Sequence, residues 1–175
     1  MACALQRFAS EAANKSRAVE AMDAEDIMVS EVVTVRSDDS VGTALEILSE
    51  LDVRHLPVID DGELVGMLSD RDLRTLGVYR LRDLESVDRV ARLAQLKVAD
   101  IMSADVISVE GSADVREVID LMIEEHIGAL PVCEPHTRQL VGIISYVDVL
   151  KAASRMLDER EAPAAVGAYA PTNLP

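Results

Sequence analysis

The chain has 175 residues, a net charge of −15, 49% apolar residues and only 2% aromatic ones. That length and apolar content suit one domain or two closely packed half-domains, and the acidic balance argues against nucleic acid or an anionic membrane surface as a general partner. Cys3 and Cys133 are too few for a disulfide framework, no apolar run is long enough to span a bilayer, and Arg7 interrupts the N-terminal apolar stretch before it resembles a secretory signal, so a cytoplasmic protein is expected.

Residues 3–20 are rich in alanine and other helix formers, with Leu5, Phe8 and Ala12 near one face, and predict an N-terminal helix. The β-branched run Val32-Val33-Thr34-Val35 predicts a strand. Asp39 or Ser40 then caps a helix whose Val41, Ala44, Leu45 and Leu48 fall at i, i+3, i+4, i+7. Leu56-Pro57-Val58-Ile59 and Leu64-Val65-Gly66-Met67-Leu68 flank Asp60-Asp61-Gly62-Glu63, where Asp-Gly supplies the positive φ of a tight hairpin. Ser69 leads into a second helix.

The same order then returns. Asp26-Ile27-Met28 recurs as Asp100-Ile101-Met102 and Leu56-Pro57-Val58 as Leu130-Pro131-Val132, each 74 positions on; Leu64-Val65-Gly66 recurs 76 positions on as Leu140-Val141-Gly142. One unit is duplicated, with two extra residues in the second hairpin turn, Glu134-Pro135-His136-Thr137-Arg138. Val106-Ile107-Ser108-Val109 and the series Val115, Val118, Ile119, Met122 repeat the first strand and helix. The reading is a mixed α/β chain of two strand-helix-strand-strand-helix units: a helix over 1–22, repeat one over 23–75, a basic connector over 76–97, repeat two over 98–152 and a C-terminal tail over 153–175. The connector region contributes Arg74, Arg80, Arg82, Arg89, Arg92 and Lys97 against Asp83, Glu85 and Asp88, and the aperiodic Ala- and Pro-rich end reads as disordered.

Both repeats end their hairpin in Gly-x-x-Ser-x-x-Asp, with Ser69 and Asp72 in one and Ser145 and Asp148 in the other. Two readings share this geometry. A Ser followed three residues later by an acidic residue forms a capping box at a helix start. Equally, free N–H groups at a helix start hold an anion, and a carboxylate at a strand end accepts ribose hydroxyls. His126, Cys133 and His136 carry metal-capable atoms, but a structural zinc needs four ligands, and Cys133 sits in a strand expected to be buried and inert, so no metal and no catalytic residue is assigned.

The succession Asp-Ile-Met, valine-rich strand, amphipathic helix, Arg54-His55-Leu56-Pro57-Val58, Asp-Gly hairpin and Gly-x-x-Ser-x-x-Asp resembles a CBS domain, and the whole chain resembles a CBS pair, or Bateman module, of the stand-alone type. The resemblance implies pseudo-twofold packing of two three-stranded sheets, with two clefts between the repeats that take an adenosine-containing nucleotide, and no catalysis or catalytic cofactor. It implies that Ser69, Asp72 and His55 serve one cleft with Met102 and Ile107 borrowed from repeat two, and that Ser145 and Asp148 serve the other with Met28 and Val33 borrowed from repeat one. AMP, ADP or ATP leads the ligand class, with NAD and S-adenosylmethionine behind. It further implies a homodimer through helices near 41–51 and 115–125, read by a partner protein; a ligand-free dimerisation module is the alternative.

The copies also differ. Arg54, His55, Arg71 and Arg74 are replaced in repeat two by Gly128, Ala129, Val147 and Leu150. Arginine forks hold phosphate, so the Asp72 cleft is expected to take the phosphorylated nucleotide, while the Asp148 cleft either stays empty, takes an uncharged adenosine compound or borrows Arg54 across the interface; a solvated helix face is the plainer reading of Arg71 and Arg74.

Overall fold

A computed structural model describes residues 22–75, 91 and 93–161; the helix expected over 3–20, most of the connector and the end of the tail lie outside the described residues. In repeat one, helix α1 (Ala24–Ile27) opens with Asp26 accepting from the backbone N–H of Asp23 at 3.0 Å. Helix α2 (Val41–Glu50) is capped by Ser40, whose Oγ accepts from Thr43 N at 3.0 Å, while Asp39 turns back to Arg36 N at 2.7 Å. Strand β1 (His55–Asp60), strand β2 (Glu63–Ser69) and helix α3 (Asp70–Thr75) follow. Asp61 at φ 50° and Gly62 at φ 86° make the two-residue turn between β1 and β2.

Repeat two opens with a 3-10 turn (Val98–Asp100), then β3 (Val109–Glu110), α4 (Val115–Glu124) capped by Asp114, β4 (Ala129–Cys133), β5 (Leu140–Ser145) and α5 (Tyr146–Glu161). Its longer hairpin turn places His136 in the left-handed region at φ 59°.

The first expected strand of each repeat is largely absent. Repeat two has a three-stranded sheet in the order β3-β4-β5, but β3 is two residues long, and repeat one has only the β1-β2 pair. Val35 alone of its run makes a bridge, a parallel one to Val58, with Ile59 N reaching Val35 O at 2.8 Å. The physical reason is burial. Strand propensity expresses fit to a packed pleated surface, whereas Val33 and Ile107 remain 38% and 37% exposed beside open clefts, and only Val35 and Val109 are buried.

Two apolar cores result, and each takes in the start of the other repeat. Val41, Ala44, Leu48, Leu56, Val58 and Leu68 pack with Val98, Ile101 and Met102; Val115, Val118, Met122, Leu130, Val132 and Ile144 pack with Ala24, Ile27 and Met28. Backbone pairing follows the same exchange. Met67 and Ser103 donate to each other at 2.9 Å both ways, and Val29 and Ile143 do so at 2.9 and 3.0 Å. The sequence repeats are therefore not the packing units, because each Asp-Ile-Met segment buries its apolar side chains against the opposite sheet.

Candidate functional site

Two clefts lie between the repeats, of about 360 and 340 Å³, within the size range of small-molecule sites. Each is built at the junction where a return strand feeds a helix. In the first, β2 delivers Ser69 and α3 delivers Arg71 and Asp72; the facing wall comes from repeat two, with Ile107 in the extended segment before β3, His126 to Gly128 in the turn before β4 and Ala129 at the start of β4. In the second, β5 and α5 deliver Ser145, Asp148 and Lys151, and repeat one supplies Val33, the turn from Asp52 to Arg54 and His55 at the start of β1.

The structure thus gathers His55, Ser69, Arg71, Asp72 and Ile107 in the first cleft, and Val33, Arg54, Ser145 and Asp148 in the second. Met102 and Met28 line neither: Met102 lies against Gly66 and Met28 against Gly142, with each thioether in the space a Cβ there would need, so both belong to the cores. The physical reason is that glycine leaves a groove on the sheet, and an unbranched side chain fills it. Arg74 also lies outside the lining, bonded to Asp70 at 2.7 Å along one helix face.

At both junctions the serine and aspartate form the capping arrangement. Ser69 donates to Asp72 Oδ2 from its backbone at 2.8 Å and from Oγ at 2.6 Å; Ser145 does the same to Asp148 Oδ2 at 3.0 and 2.5 Å. One carboxylate oxygen is thereby committed to the fold. Asp148 Oδ1 meets Lys151 Nζ at 3.3 Å, whereas among the described residues no partner is found for Asp72 Oδ1. Burial raises the pKa of Asp148, but the bonds from Ser145 and the pairing with Lys151 outweigh it and leave the carboxyl below its ordinary value.

His55 stands at the centre of the arrangement and lines both clefts. Burial lowers its pKa, and Arg54 and Arg71 lower it further, against the opposing pull of Asp70 and Asp72. The ring is neutral at neutral pH, a donor and an acceptor rather than a cation. Burial likewise raises the Cys133 thiol, against a bond with Ser108 and the nearby Arg138, which keeps it protonated and unreactive.

Among the lining residues that the sequence did not assign to a cleft are Glu31, Asp52, Asp105, His126, Tyr146 and Lys151. Asp52 and His126 stand 74 positions apart and both take the left-handed conformation, at φ 50° and 56°, just after α2 and α4. The repeat offset applied to helix ends would have found them.

CBS domain family matches cover residues 24–79 and 98–155, well over half of the sequence. The chain belongs to the CBS domain family. A CBS domain-containing protein of Dictyostelium discoideum is 31% identical over 133 residues, which covers 75% of this chain and 91% of that one. Inosine-5'-monophosphate dehydrogenase of Methanocaldococcus jannaschii is 30% identical over 129 residues, covering 73% of this chain but 23% of the enzyme. Among solved structures, CBSX2 in complex with AMP is 31% identical, with a TM-score of 0.64 and coverage of 77% of this chain and 98% of that one. The CBS domain pair of protein MJ0100 in complex with 5'-methylthioadenosine and S-adenosyl-L-methionine is 25% identical, with a TM-score of 0.62 and coverage of 78% and 99%. This CBS pair therefore shares its architecture with modules that hold adenosine compounds. No helix among its described residues is long and apolar enough to cross a membrane.

Proposed function

We propose that this CBS pair is a non-catalytic regulatory sensor, cytoplasmic, that binds an adenosine-containing nucleotide of the AMP, ADP or ATP kind in its inter-repeat clefts. The observation that carries the reading is that Ser69 and Ser145 each end a strand at an inter-repeat cleft, with Asp72 and Asp148 in the first turn of the helix that follows, an arrangement that offers a carboxylate to ribose hydroxyls and a helix start to phosphate. CBSX2 in complex with AMP, at 31% identity, supports the ligand class. NAD and S-adenosylmethionine rank behind, though the MJ0100 pair in complex with S-adenosyl-L-methionine keeps the latter in the test.

Arg54 and Arg71 line the first cleft with His55, and they favour placing the phosphate there. Binding energy would then shift the packing of the repeats, or of a homodimer, to the extent that the ligand prefers one arrangement. Leu51 and Ile123, 53% and 63% exposed at the ends of α2 and α4, support a dimer through those helices, whose shape a partner protein would read. Calorimetry with AMP, ADP, ATP, NAD and S-adenosylmethionine on wild type and Asp72→Ala tests the assignment. Binding of an adenine nucleotide that weakens at least tenfold in the variant is expected; equal affinities would overturn the assigned cleft.

The two closed capping arrangements favour one second reading, a ligand-free dimerisation module, because Ser69 and Ser145 already have partners without a nucleotide. A dimer by light scattering whose melting temperature no adenosine compound raises would establish it.

A further inference from the structure

The two clefts share a wall. Arg54, His55, Ala129 and Tyr146 line both, so the clefts meet at the start of β1 and the start of α5. Of these four, only Arg54 carries a permanent charge. Its surroundings make it a scarce resource: the first cleft otherwise offers Arg71 against Asp70, Asp72 and Asp105, and the second offers Lys151 against Glu31, Asp52 and Asp148. Lys151 is already held by Asp148, whereas among the described residues Arg54 has no ion pair and its side chain is exposed.

We infer that Arg54 is a single anion-holding group shared by the two clefts, so that a phosphorylated ligand bound in one weakens the binding of a second in the other. The inference rests on the nucleotide reading of the clefts and adds to it a regulation between them. A flexible guanidinium between two sites can give its bidentate fork to one phosphate at a time. When it turns to one cleft, the other keeps one cation against three carboxylates, which disfavours a phosphate there. The coupling acts on charge. An uncharged adenosine makes no claim on the arginine and fills each cleft independently. Site–site coupling of this type commonly amounts to about 5–150-fold in affinity.

Val33 lines only the second cleft and Ile107 only the first, and both are partly exposed, so Val33→Trp and Ile107→Trp fill one cleft each without disturbing a core. Calorimetric titration of AMP and of adenosine into wild type, these two variants and Arg54→Gln gives the stepwise and the single-cleft affinities. For AMP, each single-cleft variant is expected to bind one equivalent, and the second equivalent in wild type to bind about tenfold more weakly than the single-cleft values require. In Arg54→Gln the first affinity falls and this gap closes; with adenosine no gap appears in any protein. Stepwise AMP affinities in wild type that equal the single-cleft values overturn the sharing and leave the nucleotide reading standing. So does an Ile107→Trp variant that binds no AMP, or a gap of equal size with adenosine, which would assign the coupling to the wall and not to the arginine. Absence of any AMP binding to any of the four proteins overturns the nucleotide reading and the sharing with it.

Discussion

The imidazole of His55 lies against the backbone of Gly128, with Cε1 and Nε2 each 3.1 Å from the point that a Cβ on the glycine would occupy. By the repeat offset, Gly128 stands where repeat one has Arg54, and Ala129 where it has His55. The equivalent positions 55 and 129 both line both clefts, so they meet at the boundary between the repeats. Two large side chains would not fit there. The small residues of repeat two make room for the large ones of repeat one.

Gly128→Ala is therefore expected to cost about 1 kcal/mol, since the ring must yield by a few tenths of an ångström in a packed site. Urea denaturation of Gly128→Ala, His55→Ala and the double variant checks this. A coupling of at least about 0.5 kcal/mol between the two sites is expected, and strict additivity would show that the ring and the glycine do not interact.

The glycines beneath the methionines make a graded pair. A Cβ at Gly66 would meet Met102 at Sδ, Cγ and Cε; one at Gly142 would meet Met28 at Sδ, Cγ and Cβ. The end of a methionine moves more easily than its root, so Gly66→Ala should lose about 1 kcal/mol and Gly142→Ala about 2–3 kcal/mol. Chemical unfolding of the two variants should rank them in that order. The reverse order would mean that β5 yields more easily than Met28.

His55 gives stability a defined pH dependence. Its pKa in the folded protein lies below the ordinary value of about 6.5, so between the two values the unfolded chain binds more protons than the folded one. Stability from this group is complete above about pH 6.5 and is lost as the pH falls towards the folded-state value. Thermal melts across that window should show a slope that His55→Gln removes. A slope unchanged in the variant would place its source elsewhere.

The aspartate of the second junction should act in the same direction but at lower pH. Asp148 is held below its ordinary pKa, so its contribution is present above about pH 4 and is lost as the pH falls through the folded-state value. Asp148→Ala, which strands the backbone N–H of Ser145, should cost about 0.5–2 kcal/mol at pH 7, and Asp148→Asn less, because the amide oxygen still accepts that bond. Melting temperatures of wild type and the two variants at pH 7 check the ranking, and a titration downward from about pH 4 should show the lead of wild type over Asp148→Asn shrinking as the carboxylate is protonated.

The lengthened second hairpin turn has a structural task that follows from one contact. Arg138 donates from Nε to Leu64 O at 2.7 Å, and Leu64 N returns a bond to Arg138 O at 2.8 Å, which ties that turn to the edge of β2 in the other repeat. Arg138→Ala should lose about 1–2 kcal/mol, because the charged donor goes while the backbone bond remains. Arg138→Lys should recover only part of this, a lysine ammonium having no planar Nε donor to offer. Equilibrium unfolding distinguishes the three proteins.

What the amino-acid sequence determined by itself was local and repeated. The turn at Asp61-Gly62, the serine cap at Ser40, the apolar faces of α2 and α4 and the serine–aspartate junctions depend on residues within a few positions of one another, and the 74-residue offset showed which positions are equivalent. Strand propensity over Val32 to Val35 misled, because a ladder needs a neighbour on the sheet, whereas Val32 and Val33 line an open cleft and only Val35 is buried. Resemblance implied that each cleft borrows from the opposite repeat, yet it did not separate Ile107 and Val33, which line the clefts, from Met102 and Met28, which fill grooves above Gly66 and Gly142. Nor did the offset show that Arg54 and His55 belong to both clefts at once. Only the tertiary structure decided these points, because equivalence in sequence says nothing about which side chain occupies the space where two copies meet, and in a packed interior that space admits one.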